Sequence, residues 1–479
     1  MALRLSFYGG AGKVTGSNFL VANDRTNVLV DCGIEQGADV ATEDVYGPFP
    51  YDPGAIDALV VTHAHLDHVG RIPKLVRDGF RGKIYMTPPT RDLAELILRD
   101  SVGILGEDAK RRGLPPLYEE RDVGRAFSLI EALEYHEEKE IAPGLTAYLR
   151  NTGHILGSAS VRLTDEDGAR LALTGDIGNS PSPLLPDWEP VPDVDALVME
   201  SVYGDRLHPP HEERVMRLKD TLRSALARGG TILIPAFSLE RTQLMLYELS
   251  NFFSAGDLPK IPVFLDSPLA IKVTSVYEKW GPAYFKPAAE DEMKREGSLF
   301  SFPFLTKTLS REESEEIEEK VPGQKIIIAG AGMSHGGRIG RWEAKYLPHP
   351  DTTLLIVGYQ APGSPGRRMA EGAPAVRLGG EEVRIRAHVA ILDGWSGHAD
   401  RDELLRFAEA CLNAEGALPL YGRAPSAPRT KVIFTALGEP AAERFLAQRI
   451  HDYLGARAVV PDEGQTWEIS KDSVKRASA

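Results

Sequence analysis

His63-Ala64-His65-Leu66-Asp67-His68 follows directly on the apolar run Ala58-Leu59-Val60-Val61-Thr62. Three imidazoles and a carboxylate packed this closely at the end of a strand-like run are costly to keep unless a cation is held there. In an extended segment His63 and His65 point to the same side, because side chains alternate with period two. Asp67 and His68 fall where the chain turns into the helix suggested by Val69 to Val76, aimed at a neighbouring point. Neutral imidazole and carboxylate suit zinc or a similar divalent ion. Two ligand pairs so close together point to a two-metal site, with ions about 3.5–4 Å apart. The competing reading, a solvated His-rich turn, suits one isolated histidine better than this spacing.

The rest of the chain bounds what such a site can serve. Its 479 residues allow two or three domains and a large core. Hydrophobic content of 42% with 26% charged residues is that of an ordinary globular protein. No stretch approaches the roughly 20 apolar residues of a membrane span. The first residues enter a strand pattern without a signal-peptide signature. Only Cys32 and Cys411 are present, which argues against a disulfide framework and against thiolate zinc ligation, and fits a reducing cytoplasm. The net charge of −14 weakens nucleic-acid binding by bulk electrostatics. A polyanionic substrate needs a local basic surface, backed by cations that cancel carboxylate charge.

The first 200 residues read as strands punctuated by Gly and Asp, several ending in a polar residue that could face a site: Asp31, Thr62, Asp176 and Glu200. Helical periodicity is expected from Arg91 to Arg99 after Thr90 as N-cap, and from Glu119 to Leu133. From about His208 helices and strands alternate. Glu212 to Arg228 should be a helix stopped by Gly229-Gly230. Pro262 to Asp266, Lys325 to Ala329 and Thr353 to Gly358 are continuous apolar strands of the kind buried on both faces of a parallel sheet. Residues 416–428 read as a Pro/Gly-rich loop, and the acidic run Arg311 to Lys320 as a solvated helix. The chain end is expected to be a loose tail.

A metal pair needs more ligands than one motif supplies. His154 lies in a Gly-flanked loop, Asn151 to Ser158, and Asp176 ends the strand-like Leu173-Thr174-Gly175-Asp176, where it could bridge both ions. Either residue alone is more often structural; their order after the His63 motif makes them candidates. At this point the chain resembles the metallo-β-lactamase superfamily and, within it, the β-CASP nucleases. The resemblance covers nearly the whole chain. It runs through Val30-Asp31-Cys32-Gly33, Thr62 to Gly70, Gly153-His154, Thr174-Gly175-Asp176 and Glu200 to Asp205. It continues through Pro235 to Ser238, Leu265 to Ala270, Gly332 to Arg338, Gly358-Tyr359-Gln360 and Trp395 to Asp400. These look most like the branch holding the endonuclease subunit of the cleavage and polyadenylation specificity factor and its prokaryotic relatives.

The resemblance implies an α/β fold: a metallo-β-lactamase αββα sandwich in two chain segments, 1–205 and 386–465, with a β-CASP α/β domain inserted at 206–385 and a tail at 466–479. Carried over, His63, His65 and His154 would bind one Zn2+. Asp67 and His68 would bind a second, with Asp176 bridging. Asp31 would steady a ligand or the attacking water. Glu200 and His398 would form the carboxylate–imidazole pair beside the metals, with Asp67, Glu200 and His398 as the catalytic set. One departure stands out. RNA-cleaving members usually carry His-Gly-Glu after a strand near the C-terminus, and that His completes the second zinc site. Here the segment is Thr435-Ala436-Leu437-Gly438-Glu439, so the second site is expected to be weak. His388 is read as a strand residue, not a substitute ligand.

The chemistry implied is hydrolysis of a phosphodiester by water made acidic by metal ions, with His398, polarised by Glu200, protonating the leaving oxygen. Substrate grip is expected from the inserted domain: Gly336 and Gly337 with Arg338, then Ser364, Arg367 and Arg368 around the Gly-Ser-Pro-Gly turn. A lone Gly-rich loop is more often just a tight turn. The expected partner is single-stranded RNA, with DNA as the alternative polymer, no membrane, and homodimer formation left open. Two other readings compete: an RNA-binding scaffold whose chemistry has decayed, favoured by Leu437, and a small-molecule metallohydrolase, disfavoured by the long insert.

Overall fold

The computed structural model describes residues 2–36, 41–361, 363–413 and 429–477. They fall into two compact units. One comprises the stretch before residue 37, Ala41–Leu207, and the chain from His398 on; the other is His208–Gly397. The loop expected at 416–428 lies outside the described residues.

The first unit stacks two sheets. One has eight strands in the order 474–476, 466–469, 3–9, 18–22, 27–30, 58–60, 83–86 and 130–132. The other has seven, in the order 458–459, 432–436, 196–200, 170–173, 159–165, 145–151 and 138–142. Leu3, Leu5 and Phe7 alternate into a core shared with Val161, Leu171, Val198 and Phe434 of the second sheet. The far face of that sheet carries Ala172, Leu197, Met199 and Ile433, buried with Leu404, Phe407 and Leu446 of the helices Arg401–Leu412 and Pro440–Arg449. In the first sheet, Ala58–Val60, Lys83–Met86 and Ile130–Ala132 run parallel, so helices must carry the chain between them. Those helices are Ile72–Arg77, Pro88–Arg112 and Glu120–Phe127. Strands covered on both faces are apolar throughout, which is why Ala58 to Val61 reads as a run. The layering is αββα.

Three local expectations are corrected. The helix expected from Arg91 begins at Pro88, because Thr87 rather than Thr90 is the N-cap: the Thr87 hydroxyl accepts from Thr90 N. Pro88 and Pro89 sit in the first turn, where no N–H is needed. The helix expected to reach Leu133 stops at Phe127, since Ile130–Ala132 is drawn into the first sheet. The supposed tail is structured. Thr466–Ile469 pairs with Leu3 to Ser6 and Val474–Arg476 folds back on it, with Trp467 and Ile469 buried.

In the second unit six strands lie in the order 305–307, 263–266, 325–329, 231–235, 353–356 and 388–391, every pairing parallel. Helices including Arg241–Ser254, Pro268–Tyr284, Arg311–Lys320 and Gly337–Tyr346 alternate with them. His388 opens the edge strand and is exposed. The helix His211–Arg228 ends on left-handed Gly229, as expected from the sequence. Among the described residues no helix is long and apolar enough to cross a membrane.

One buried carboxyl in this unit should govern its stability. Glu343, fully buried in Gly337–Tyr346, accepts from Ser334 Oγ at 2.6 Å, and burial pushes its carboxyl up to about 8. An unfolded glutamate releases its proton near pH 4.3, whereas the folded one keeps it, so stability is lost as pH rises between those values. Glu343→Gln should therefore stabilise the protein at pH 8 by about 1–3 kcal/mol and not at pH 4.5. Thermal melts of both proteins at the two pH values would check this; an equal offset at each would refute it.

Candidate metal centre

The ends of neighbouring strands in the first unit hold the site. Asp31 follows Asn27–Val30, the His63 motif follows Ala58–Val60, His154 follows Leu145–Asn151, Asp176 follows Arg170–Leu173, and Glu200 closes Ala196–Glu200. The expected helix after the motif is broken into Leu66–Val69 and Ile72–Arg77, and the first short turn carries Asp67 and His68. Backbone bonds hold that turn: Ser17 N to Asp67 O and Cys32 N to His68 O, each 2.9 Å. Gly33 permits this approach, because a Cβ there would stand 1.6 Å from Asp67 O.

Four donor atoms converge. His63 Nε2 is 3.1 Å from His65 Nδ1, and His154 Nε2 is 3.2 Å from the same atom. Asp176 Oδ2 lies 3.3 Å from His63 Nε2 and 3.4 Å from His154 Nε2. Ligands of one tetrahedral ion with bonds of about 2.0–2.1 Å stand about 3.3–3.4 Å apart. The spacing fits a single divalent ion. Burial holds His63 below the usual imidazole range, and His65 and His154 well below it, so all three are neutral and have a lone pair to offer.

The second group is looser. The other oxygen of the same carboxylate, Asp176 Oδ1, lies 3.4 Å from His68 Nε2, and Asp67 Oδ2 lies 3.9 Å from that nitrogen. His68 Nε2 is buried without a hydrogen-bond partner. Asp176 thus turns one oxygen toward each donor group. Asp67 is partly exposed, so this group opens to solvent. Burial raises the Asp67 carboxyl; it also opposes the charge of Asp176, but His68 and His63 outweigh it and hold Asp176 well below the usual range.

Asp31 and Thr62 stand behind both groups. Asp31 Oδ2 accepts from His68 Nδ1 at 2.7 Å and from Ser17 Oγ at 2.9 Å; Oδ1 accepts from Thr62 N at 2.8 Å. On the other side, Ser158 Oγ accepts from His154 N at 3.1 Å and Ile155 N at 3.2 Å, tying down the His154 loop. His398 Nδ1 lies 3.2 Å from Glu200 Oε2 and 3.9 Å from Asp176 Oδ2. Glu200 Oε1 also accepts from Ile177 N at 2.5 Å. Burial works against charge on His398, but Glu200 and then Asp176 outweigh it, and its pKa is pushed up to about 9. The sequence marked Thr62 as a strand-end polar residue able to face a site, whereas Ser17 and Ser158 carried no such signal.

The residues expected to grip substrate lie in the second unit, as the sequence placed them. Arg338 is committed to the fold: Nη1 donates to Asp266 Oδ1 at 2.6 Å and Thr308 O at 3.1 Å, and Nη2 to Leu309 O at 2.7 Å. Ser364 is buried, with its hydroxyl accepting from Arg367 N as a helix cap, and Arg367 is paired with Glu371. Gly336 and Gly337 are exposed at the start of Gly337–Tyr346. Ser334, His335, Gly336 and Arg368 line a small cavity of about 200 Å³, so of the adjacent arginines it is Arg368 that faces open space.

Leu437 follows the strand Val432–Ala436 with φ 50° and is buried, its N donating to Gly10 O at 2.6 Å. Its side chain belongs to the apolar core with Phe19, tight over Gly10, where an added Cβ would be 2.5 Å from Leu437 Cδ2.

Comparison with known proteins meets this geometry from outside. Residues 11–236 match the model of the metallo-beta-lactamase superfamily, and residues 242–369 that of the Beta-Casp domain. The chain is 38% identical over 403 residues to ribonuclease TTHA0252 of Thermus thermophilus, covering 84% of this chain and 90% of that protein. It is 33% identical over 492 residues to the transcription termination factor FttA of Pyrococcus horikoshii, covering 98% and 71%. An RNase J-like protein of Methanocaldococcus jannaschii is 32% identical over 425 residues, covering 87% and 92%. A solved protein of unknown function from Enterococcus faecalis shares the fold, with TM-score 0.54 at 12% identity over 97% of this chain and 99% of its own. With a histidine–carboxylate cluster at the strand ends and both domain models matched in order, this chain belongs to the metallo-β-lactamase superfamily, among the proteins that carry a β-CASP domain.

Proposed function

We propose that the protein is a metal-dependent ribonuclease that hydrolyses phosphodiester bonds of single-stranded RNA, as an endonuclease with 5′-exonuclease activity as a further mode. The observation that carries this reading is the convergence of donor atoms of His63, His65, His154 and Asp176, all within 4.8 Å of one another, with the second oxygen of Asp176 turned toward His68. In this reading His63, His65, His154 and Asp176 would hold one Zn2+, and Asp67, His68 and Asp176 would hold the other. Bound there, such ions would supply a more acidic water and positive charge to offset that of the phosphate. The chain's own residues do the rest. The neutral imidazoles of His63, His65 and His154 supply lone pairs, Asp176 joins the two groups, and Asp31 orients His68. Glu200 keeps His398 protonated at neutral pH, so that His398 gives a proton to the leaving oxygen. In the inserted domain Arg368 and the Gly336–Gly337 turn are the contacts proposed for phosphate, with Arg338 a strut behind them. The buried, unpaired Cys32 and Cys411 fit a reducing compartment.

Cleavage of end-labelled single-stranded RNA with added Zn2+, and its loss with chelator, tests the proposal; the same sequence as DNA in competition tests the polymer. An intact RNA ladder at micromolar enzyme and full zinc occupancy would overturn it. Light scattering would show whether the chain forms a homodimer.

Leu437 favours a second reading, an RNA-binding homologue with impaired chemistry. The two separate on one variant. Leu437→His should tighten binding of the second ion by roughly tenfold or more, since an added protein ligand replaces solvent. It should also lower the thermal midpoint of the metal-free protein, because an imidazole replaces apolar contact in the core. Unchanged zinc content and rate would show that this residue does not limit the site.

A further inference from the structure

We infer that Thr62 is a positioning residue whose single hydroxyl sets the tautomer of His63, and that with Asp31 it prepares one imidazole in each of the two donor groups. The inference rests on the metal reading proposed above and deepens it. Thr62 is buried, and its Oγ1 lies 2.9 Å from Asp31 Oδ2, 3.1 Å from His63 Nδ1 and 3.3 Å from His68 Nδ1. The hydroxyl has one proton and two lone pairs to distribute among these neighbours.

The distribution follows from charge. Asp31 Oδ2 is the anionic acceptor and takes the hydroxyl proton, because hydrogen bonds to an ionised group are roughly twice as strong as neutral ones. It also takes His68 Nδ1–H at 2.7 Å, the shorter of the two contacts that nitrogen makes. A lone pair of Thr62 Oγ1 is then left pointing at His63 Nδ1, which must carry the proton to use it. His63 is thereby fixed as the Nδ1–H tautomer, with Nε2 stripped of hydrogen where it faces His65 and Asp176. Asp31 holds His68 through Nδ1, which turns the other nitrogen, Nε2, toward Asp176 and Asp67. The reverse arrangement, Thr62 donating to His63 Nδ1, would put a proton on His63 Nε2 and block it as a ligand.

Packing holds the hydroxyl in this orientation. A β-branched side chain is stiff at χ1, and Thr62 is wedged against Gly175, where an added Cβ would be 2.6 Å from Thr62 Cβ. Its backbone is pinned as well: Thr62 N donates to Asp31 Oδ1 at 2.8 Å and Thr62 O accepts from Ala159 N at 2.8 Å. The residue next to Asp176 is thus shaped to admit the side chain that tunes His63.

The test compares wild type, Thr62→Val and Thr62→Ser in the full chain. Long-range 15N–1H NMR of histidine-labelled, metal-free protein reads the tautomer, and competition with a chromophoric chelator reads zinc affinity in each class of site. Valine keeps the shape and removes the hydroxyl, so His63 should become a mixture of tautomers. Affinity at the His63 group should fall about 10–100-fold, the usual effect of losing a ligand's hydrogen-bond partner. The other site should stay within about threefold, because Asp31 still holds His68. Serine should restore both readings. Thr62→Ala, which removes both the hydroxyl and the γ-methyl, gives the same comparison should valine disturb the packing on Gly175. A valine or alanine variant whose His63 stays wholly Nδ1-protonated, or whose two affinities are both unchanged, would overturn the inference. Absence of zinc uptake by wild type would instead defeat the metal reading, with the tautomer measurement still deciding the role of Thr62.

Discussion

Replacing Asp176 with alanine is expected to bring bound zinc below half of the wild-type level and to slow RNA cleavage by at least about 10³-fold. Both oxygens of this carboxylate are engaged, Oδ2 between His63 and His154 and Oδ1 beside His68. No other carboxylate reaches both donor groups among the described contacts: Glu200 is turned to His398 and Ile177, and Asp67 lies on the open side. The loss should thus strike both ions, unlike the loss of His154, which would strike one. Metal analysis of the purified variant, with circular dichroism to show that it is folded, checks the first half; a single-turnover assay checks the second. Near-full zinc content with a rate within tenfold of wild type would remove Asp176 from the site.

His398→Ala should leave metal content as it is and slow cleavage by roughly 10²–10⁴-fold, the range for a lost general acid. His398 Nδ1 lies 3.2 Å from Glu200 and 3.9 Å from Asp176 Oδ2, so Glu200 holds it beside the donor cluster, where the proposed reading has it act on substrate. The sign of the pH effect follows from the shift. A histidine whose pKa is raised to about 9 stays protonated through neutrality and loses its proton as pH climbs past that value. The wild-type rate should therefore fall on the alkaline side of pH 9, and the alanine variant should lack that limb. A variant that keeps the limb, or one slowed less than tenfold, would assign the proton transfer elsewhere.

Much of this was legible before any coordinates. The His63 motif is contiguous, and alternation in an extended chain puts His63 and His65 on one side whatever surrounds them. Strand ends marked by Asp31, Asp176 and Glu200 were visible because strands covered on both faces read as apolar runs that break at a polar residue. The errors were also local in origin. Trp467 and Ile469 alternate, but so short a strand gives a weak signal until the partner strand Leu3–Gly9 is beside it. Arg338 follows a Gly-rich turn and looked like an anion contact. Its charge is spent on Asp266, which ends the strand Val263–Asp266, remote from the helix Gly337–Tyr346 in sequence.

What the chain determined alone was the kind of chemistry: nitrogen and oxygen donors of the right softness, crowded at the end of a buried strand. What only tertiary structure decided was the division of labour among them. The 3.1–3.4 Å spacing of four donors, the two directions in which Asp176 faces, and the hydroxyl between His63 and Asp31 all join residues from separate strands. Such distances depend on how two sheets pack and where their strands stop, and no pattern of neighbours along a single strand encodes them.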